Sequence, residues 1–416
     1  MVSHRILAGV LLLAAICADA RPAAAQTSDD LFNDQALQRI DLFVSTRDWY
    51  WLRVNYMAND YYPANMKWNG TTVTNVAIRS RGTGSRSGTK PALRVDFNRY
   101  VTGRTFLGLT AVDLNNSVQD PSFLREMLTM KFYRAMGIPA PRMAPVALYL
   151  NNTYFGLYVV VEEIDAAFLT RWFSQNSGYL FEYKWTYYYY FGYLGTDLTA
   201  YATLYEPRNH ETESLGSLYS PVEVMTRKIT DAFDENFMAE VGEYLDLLKF
   251  VRLVAAQAVI AECDGLTGNW GVNNNYLYRL AGGNQHQYLP WDASSSIHAL
   301  DYPLHAGHDE SVLMSRLMKF PEQRGWYYDT LLEGASVISQ TDASAGPDQP
   351  AQGWLEREAT RLLALIRPAA YADTVKPFTN EQFDAESAWI LTFTQTRAAF
   401  VRKEASRFAP GTAPLN

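Results

Sequence analysis

Cysteine is nearly missing from this chain. Among 416 residues only Cys17 and Cys263 occur. Cys17 falls in an N-terminal apolar run that reads as a removable leader, so no intrachain disulfide framework is expected. Cys263 reads as a small buried apolar side chain. Positive charge is not in excess either: 36 Lys and Arg face 44 Asp and Glu, for a net charge of −8. An acidic chain without a basic run argues against nucleic acid as the main partner. Beyond the N-terminus no apolar run approaches the ~20 residues that a membrane helix needs. There is no internal repeat, no long low-complexity linker, no P-loop, no G-x-G-x-x-G and no H-E-x-x-H. The only close histidine pair, His305 and His308 in HAGHDE, lacks the H-E-x-x-H arrangement, which leaves a metal-dependent hydrolase as the weakest reading.

The N-terminus carries His4 and Arg5, then an apolar run from Ile6 to Cys17, then Ala23-Ala24-Ala25 before Gln26. That order matches an export signal over residues 1–25, and the short apolar core sets it apart from a membrane span. Ile16 before Cys17 makes a poor lipoprotein signal. The expectation is a secreted or periplasmic bacterial protein with no transmembrane segment in the mature chain. Its length exceeds the ~100–200 residues usual for one domain, which predicts two lobes or domains. Tyrosine is plentiful, at 27, with a run at Tyr187–Tyr190. Such rings serve cores and half-buried strands, or a carbohydrate platform.

The first half alternates as strands do, and the second half carries helical periodicity. In KPALRVDF, Leu93, Val95 and Phe97 share one face. DPSFLREMLTMKFYRAMG reads as a helix capped by Asp120, with Pro121 in its first turn and Gly137 at its end. Asn151-Asn152 between two apolar runs marks a hairpin. Residues 178–208 read as strand and loop, and the helices are expected from Pro221 onward. The result is an α+β chain, strand-rich first and helical later, with a cleft between two parts.

Three segments can carry chemistry. RSRGTGSRSGTK, residues 79–90, places Gly82, Gly84 and Gly88 before Lys90. Glycines let backbone N–H groups approach a polyanion, Lys90 would add a point charge, and Arg81 and Arg86 would add forked donors. A plain hairpin loop explains the same glycines. In YVVVEEIDAAFL, Glu162 and Glu163 end a strand before a helix, either as a connection between lobes or as a solvated acidic turn. In CDGLTGNWGVNNNYLYR, Asp264 and Asn269 stand five residues apart, and Asp292 follows the strand YLPW. In phosphoryl transfer an Asp orients the attacking hydroxyl, an Asn five residues on holds metal, and a second Asp is the main metal ligand. Magnesium suits such a sparse oxygen set.

RSRGTGSRSGTKPALRVDF, LREMLTMKFYRAMGIPAPRMAPVALYLNNTYFGLYVVVEEIDAAFL, CDGLTGNWGVNNNYLYR and YLPWDASSS, in that order, resemble the CotH kinase family over roughly residues 75–296. The resemblance implies a two-lobed atypical protein-kinase-like fold over residues 26–416. Its strand-rich N-lobe would span about 35–163 and its helical C-lobe about 164–410. It implies an exported phosphotransferase that uses ATP and Mg2+ or Mn2+ on Ser/Thr hydroxyls of secreted or surface proteins. Carried over by position, Asp264 resembles the catalytic Asp, and Asp292 and Asn269 the metal residues. Lys90, Gly82, Gly84, Arg81, Glu126 and Glu162 would be the nucleotide-side residues, with Glu126 the partner of Lys90. Asn274 and Arg125 also match family positions. Ser294 stands where the family often has a second Asp, and Arg208 where it has a Lys. These departures, and the scarcity of ATP outside the cell, keep a second expectation: a weak or inactive kinase-like scaffold that binds a surface protein or polysaccharide.

Overall fold

The structure is a computed structural model that describes residues 26–343 and 351–408. The expected leader, residues 1–25, lies outside the described residues. Helices make up 40% and strands 20%, so the chain is a mixed α and β protein.

The first part is a barrel. A short helix, α1 (Ser28–Leu31), leads into β1 (Gln38–Val44), α2 (Thr46–Val54), β2 (Tyr62–Trp68), β3 (Thr71–Ser80), β4 (Leu93–Asp96) and β5 (Ala111–Asn115). Helix α3 (Arg125–Ala135) then precedes β6 (Met143–Leu150) and β7 (Thr153–Glu162). The strands close in the order β1-β2-β3-β4-β5-β7-β6, and a parallel pairing of β6 with β1 seals the ring. Alternation along each strand turns Ile40, Leu42, Met66, Val95, Leu114 and Val160 into the interior. Leu93, Val95 and Phe97 do share one buried face. The β6–β7 turn is the expected Asn151-Asn152, both with positive φ (48° and 69°), a conformation that Asn tolerates and a tight hairpin requires.

Helix α3 begins four residues later than its sequence suggests. The Asp120 carboxylate accepts hydrogen bonds from the backbone N–H of Ser122 (2.9 Å) and Arg125 (2.9 Å) and from the Ser122 hydroxyl (2.6 Å). This builds a non-helical turn with Phe123 at φ +59°. Gly137, at φ +71°, ends the helix as expected. Leu124, Leu128, Met130 and Phe132 of α3 join the core formed by the later helices, not the barrel interior. Lys131, at the edge of the expected apolar face, reaches Asp34 and Glu358, each at 2.7 Å.

The chain continues through α4 (Ala166–Phe173), β8 (Tyr179–Tyr183), α5 (Leu198–Leu204), β9 (Tyr205–Pro207), α6 (Leu215–Asp231), α7 (Asp234–Gly242) and α8 (Leu247–Val259). A hairpin, β10 (Asn275–Arg279) and β11 (His286–Pro290), is followed by α9 (Val312–Leu317), α10 (Pro321–Ile338), α11 (Trp354–Ala372) and α12 (Asn380–Phe408). The four later strands form one antiparallel sheet, β11-β10-β8-β9. Two expectations change here. Segment 178–208 contains α5 as well as strands, and α6 starts at Leu215, capped by Ser214, so Pro221 lies inside it. A proline removes the N–H that would bond the carbonyl four residues back. That carbonyl, on Ser217, instead accepts from Arg279 Nη2 on β10 at 2.9 Å.

Candidate active site

Asp264 leaves the end of α8 and enters a loop folded back on itself by Asn269 N–H to the Cys263 carbonyl (2.8 Å) and Asn273 N–H to the Gly265 carbonyl (3.1 Å). The loop therefore returns Asn273 and Asn274 to Asp264. Asn273 Nδ2 donates to Asp264 Oδ1 (2.8 Å), and Asn274 Nδ2 donates to Oδ2 (2.9 Å). Each carboxylate oxygen keeps a lone pair for a further donor. The β10–β11 hairpin then brings the second aspartate: Trp291 N–H bonds the Asn274 carbonyl at 3.0 Å. Asp292 sits at φ +42°, in the left-handed region that Asp and Asn tolerate better than most residues. Its Oδ1 accepts from the Ser294 hydroxyl at 2.8 Å.

Both aspartates line one cavity of about 370 Å³, together with Arg81, Gly82, Gly84, Asn273, Asn274 and Ser294. A smaller adjoining pocket adds Glu126, Asn115 and Asp120 to Arg81 and Asp292. A third cavity, which shares Arg81, Gly82, Glu182 and Lys184 with the first, is lined mainly by charged side chains, among them Arg79, Arg86, Arg94 and Arg208 and the carboxylates of Asp113, Glu163 and Glu182. Arg81 is common to all three, and its Nε is held at 2.8 Å from Asp113 Oδ2. Gly82, at φ +95°, lets the strand turn into the loop beside it.

Negative charge dominates where the aspartates meet. Burial pushes the Asp264 carboxyl up to about 6, the amides of Asn273 and Asn274 pull it back, and Asp292 adds to the rise. Burial, then Asp292, raises Glu126 to about 8 against the opposing pull of Arg81 and Asn115. Burial also holds Glu262, whose Oε1 accepts the Asp264 N–H at 2.9 Å, well above the usual carboxylate range. Among the described residues no three His, Cys, Asp or Glu side chains converge as a closed metal cage. The donor set is two carboxylates with flanking carboxamides beneath an excess of negative charge. That fits a hard divalent cation, which keeps water or phosphate oxygens among its ligands.

The other expected residues divide. Arg81, Gly82, Gly84, Glu126 and Asp292 lie on these walls. Lys90 does not. It is buried, its Nζ is 2.8 Å from Asp373 Oδ2, and it lies over the rings of Phe123 and Tyr158 at 4.5 and 5.0 Å. The expected Lys90–Glu126 pair is absent, since Glu126 Oε2 takes Asn115 Nδ2 at 2.6 Å instead. Burial lowers Lys90 to about 8 against the pull of Asp373. Asn269 is exposed, away from the cavity lining, and its Oδ1 accepts from the Tyr302 hydroxyl at 3.3 Å. Asn273 and Asn274, not Asn269, contact the Asp264 carboxylate. Glu162 is also structural. It accepts from Arg142 N–H (2.9 Å) and Arg142 Nη2 (2.7 Å) and pairs with Arg171, while Glu163 faces the charged cavity and pairs with Arg94.

Asp373 carries no motif, and only folding brings it to Lys90, 283 positions away. Gly156, on β7, leaves room for the Asp373 carboxylate. A Cβ there would meet the Asp373 carboxylate at 2.9–3.0 Å. Among the described residues His305 and His308 join no group of three potential metal-ligating side chains. His305 Nε2 lies 2.9 Å from the Tyr328 hydroxyl, and His308 packs on Tyr327.

The profile of the CotH kinase protein family matches residues 78–401. The chain therefore belongs to the CotH kinase family. Inner spore coat protein H of Bacillus subtilis (strain 168) is 24% identical over 393 residues, covering 90% of this chain and 99% of that protein. A search of solved structures aligns the Helicobacter pylori proinflammatory kinase CtkA at 11% identity and a TM-score of 0.31, over 80% of this chain and 95% of that one.

Proposed function

We propose that the protein is an exported, ATP- and divalent-metal-dependent phosphotransferase acting on Ser or Thr hydroxyls of secreted or surface proteins. The barrel would serve as the N-lobe and the helical part as the C-lobe of a kinase-like fold. The observation that carries this reading is the meeting of Asp264 and Asp292 in one cavity with Arg81 and the glycine loop. Family membership supports it. The spore-coat name of the Bacillus relative supports a place outside the cytoplasm, as the N-terminal signal pattern does. Among the described residues no helix is long and apolar enough to cross a membrane.

Asp264 is the hydroxyl-orienting group. Its carboxyl, near 6, is largely ionised at neutral pH yet basic enough to take a proton as the hydroxyl attacks. Asn273 and Asn274 fix its plane, which limits the acceptor oxygen to the free lone pairs. Arg81, immobilised by Asp113, presents fixed positive charge toward the transferring group. Asp292 with Asn274 would hold Mg2+ or Mn2+, which when bound neutralises phosphate charge. The glycine loop, rather than Lys90, would supply the close backbone approach to phosphates.

The test is transfer of radiolabel from γ-labelled ATP to the protein itself or to a serine-rich secreted acceptor. Parent protein should label with Mn2+ or Mg2+, and Asp264→Ala and Asp292→Ala should not. Equal labelling by all three refutes the assignment. The burial of Lys90 favours one second reading, an inactive scaffold that binds a surface protein or polysaccharide. That reading predicts no thermal shift with ATP and Mn2+ at any concentration.

A further inference from the structure

Arg397, on the C-terminal helix, is completely buried and is among the largest side chains with no exposure. Among the described residues no carboxylate pairs with it. Its guanidinium is met by four backbone carbonyls. Nη2 donates to Ala258 (2.6 Å) and Tyr302 (2.9 Å), Nε to Val259 (3.0 Å), and Nη1 to Leu300 (2.9 Å). Ala258 and Val259 end α8, six and five residues before Asp264. Leu300 and Tyr302 lie on the segment that leaves Asp292.

A helix end leaves carbonyls without intrahelical partners. At the end of α8 the carbonyls of Ala256, Gln257 and Ala258 accept from the N–H groups of Ile260, Glu262 and Ala261, and α12 and the Asp292 segment supply further donors to Ala258 and to the carbonyls that follow. Arg397 takes residues 258 and 259, Ile297 N–H takes the Ile260 carbonyl (2.9 Å), and His298 N–H takes that of Ala261 (3.3 Å). A cation at a helix C-terminus also opposes the local negative dipole. Trp389 on the same helix donates to the Ile297 carbonyl at 3.2 Å, and Glu386 pairs with Arg125, whose Nη1 donates to the Ser296 carbonyl at 2.9 Å.

We propose that Arg397 is a positioning residue that fixes the Asp264 loop against the Asp292 segment. It does so by binding both with one planar fork. The two segments also touch directly, through the Tyr302 hydroxyl on Asn269 Oδ1 (3.3 Å) and Cys263 Sγ on the Ser295 carbonyl (3.3 Å), and the helix that clamps them is the last element among the described residues. A site built this way is held assembled by the C-terminal helix. The proposal rests on the phosphotransferase reading for its consequence, but not for its geometry.

The experiment uses the full chain with Arg397→Met and Arg397→Lys, and Leu42→Ala in the barrel core as a control for general destabilisation. Mn2+ binding is measured by calorimetry, and backbone exchange by hydrogen–deuterium mass spectrometry, under conditions where every variant is folded. Arg397→Met should weaken Mn2+ binding at least tenfold and speed exchange at Ile297 and His298 at least tenfold. Arg397→Lys should recover part of both, and Leu42→Ala should change neither. Parent-like Mn2+ affinity in Arg397→Met overturns the proposal, as does an equal loss in Leu42→Ala. If the parent itself binds no Mn2+, the phosphotransferase reading fails. Exchange at Ile297 and His298 then decides alone, with unchanged rates in Arg397→Met overturning the positioning role.

Discussion

Replacing Lys90 by methionine separates two roles for this lysine, phosphate contact and internal strut. The structure places its ammonium 2.8 Å from Asp373, both groups essentially without exposure. Removing one partner of a buried pair costs about 3–5 kcal/mol, because the other charge is left in a poorly polarisable site. Asp373 retains three backbone donors: Leu157 N–H to Oδ2, and Val375 and Lys376 N–H to Oδ1, each at 3.0 Å. The lower end, about 3 kcal/mol, is therefore expected for Lys90→Met. Methionine keeps most of the stem between Phe123 and Tyr158, so little of this loss comes from a cavity. The double variant Lys90→Met/Asp373→Asn removes the orphaned charge and should lose clearly less than the two single losses combined. Urea unfolding reads the effect as a lower midpoint at unchanged m-value. Nucleotide affinity, measured below the unfolding transition, should stay within about threefold of the parent, a factor worth about 0.65 kcal/mol. A stability loss under about 1 kcal/mol with a tenfold weaker nucleotide would refute this placement and return Lys90 to the phosphates.

The asparagines give a sharper test of the loop. Asn274→Ala should reduce label transfer at least tenfold, about 1.4 kcal/mol of barrier. Asn269→Ala should stay within about threefold, read by initial rates at saturating ATP. Gly156→Ala would force a methyl group to within 3.0 Å of the Asp373 carboxylate. It should cost about 1–3 kcal/mol in urea unfolding. His286 is buried, with its Nδ1 2.8 Å from the Tyr244 carbonyl, and burial lowers it to about 4. Below its unfolded value near 6.5 the unfolded chain binds a proton that the folded chain does not. Its contribution is thus present above pH 6.5 and lost as pH falls toward 4. The loss of stability from pH 7 to pH 5 should be smaller in His286→Asn than in the parent by about 2 kcal/mol. Identical pH slopes would show that the imidazole is not shielded.

The sequence alone determined the shared face of Leu93, Val95 and Phe97, the Asn151-Asn152 turn and the placing of Asp264 and Asp292 before and after a hairpin, because each is written in local spacing, whereas closure of the strands into a barrel is not. Alternation of period two, left-handed-tolerant turn residues and a short hairpin need no distant partner to be read. It also held the glycine loop and Arg81, whose chemistry lies in residues 79–88. Tertiary structure decided the rest. Whether Lys90 points at phosphate or at Asp373 depends on a carboxylate 283 residues away. Whether Asn269 or Asn274 reaches Asp264 depends on how the loop folds back through the Cys263 and Gly265 carbonyls. The start of α3 depends on three donors competing for the Asp120 carboxylate, and the place of Arg397 on four carbonyls drawn from two distant segments. Local pattern fixes what a residue can do. Which of several equivalent groups does it is settled by burial, since a charge removed from water must take whatever partner the packed chain brings within about 3 Å.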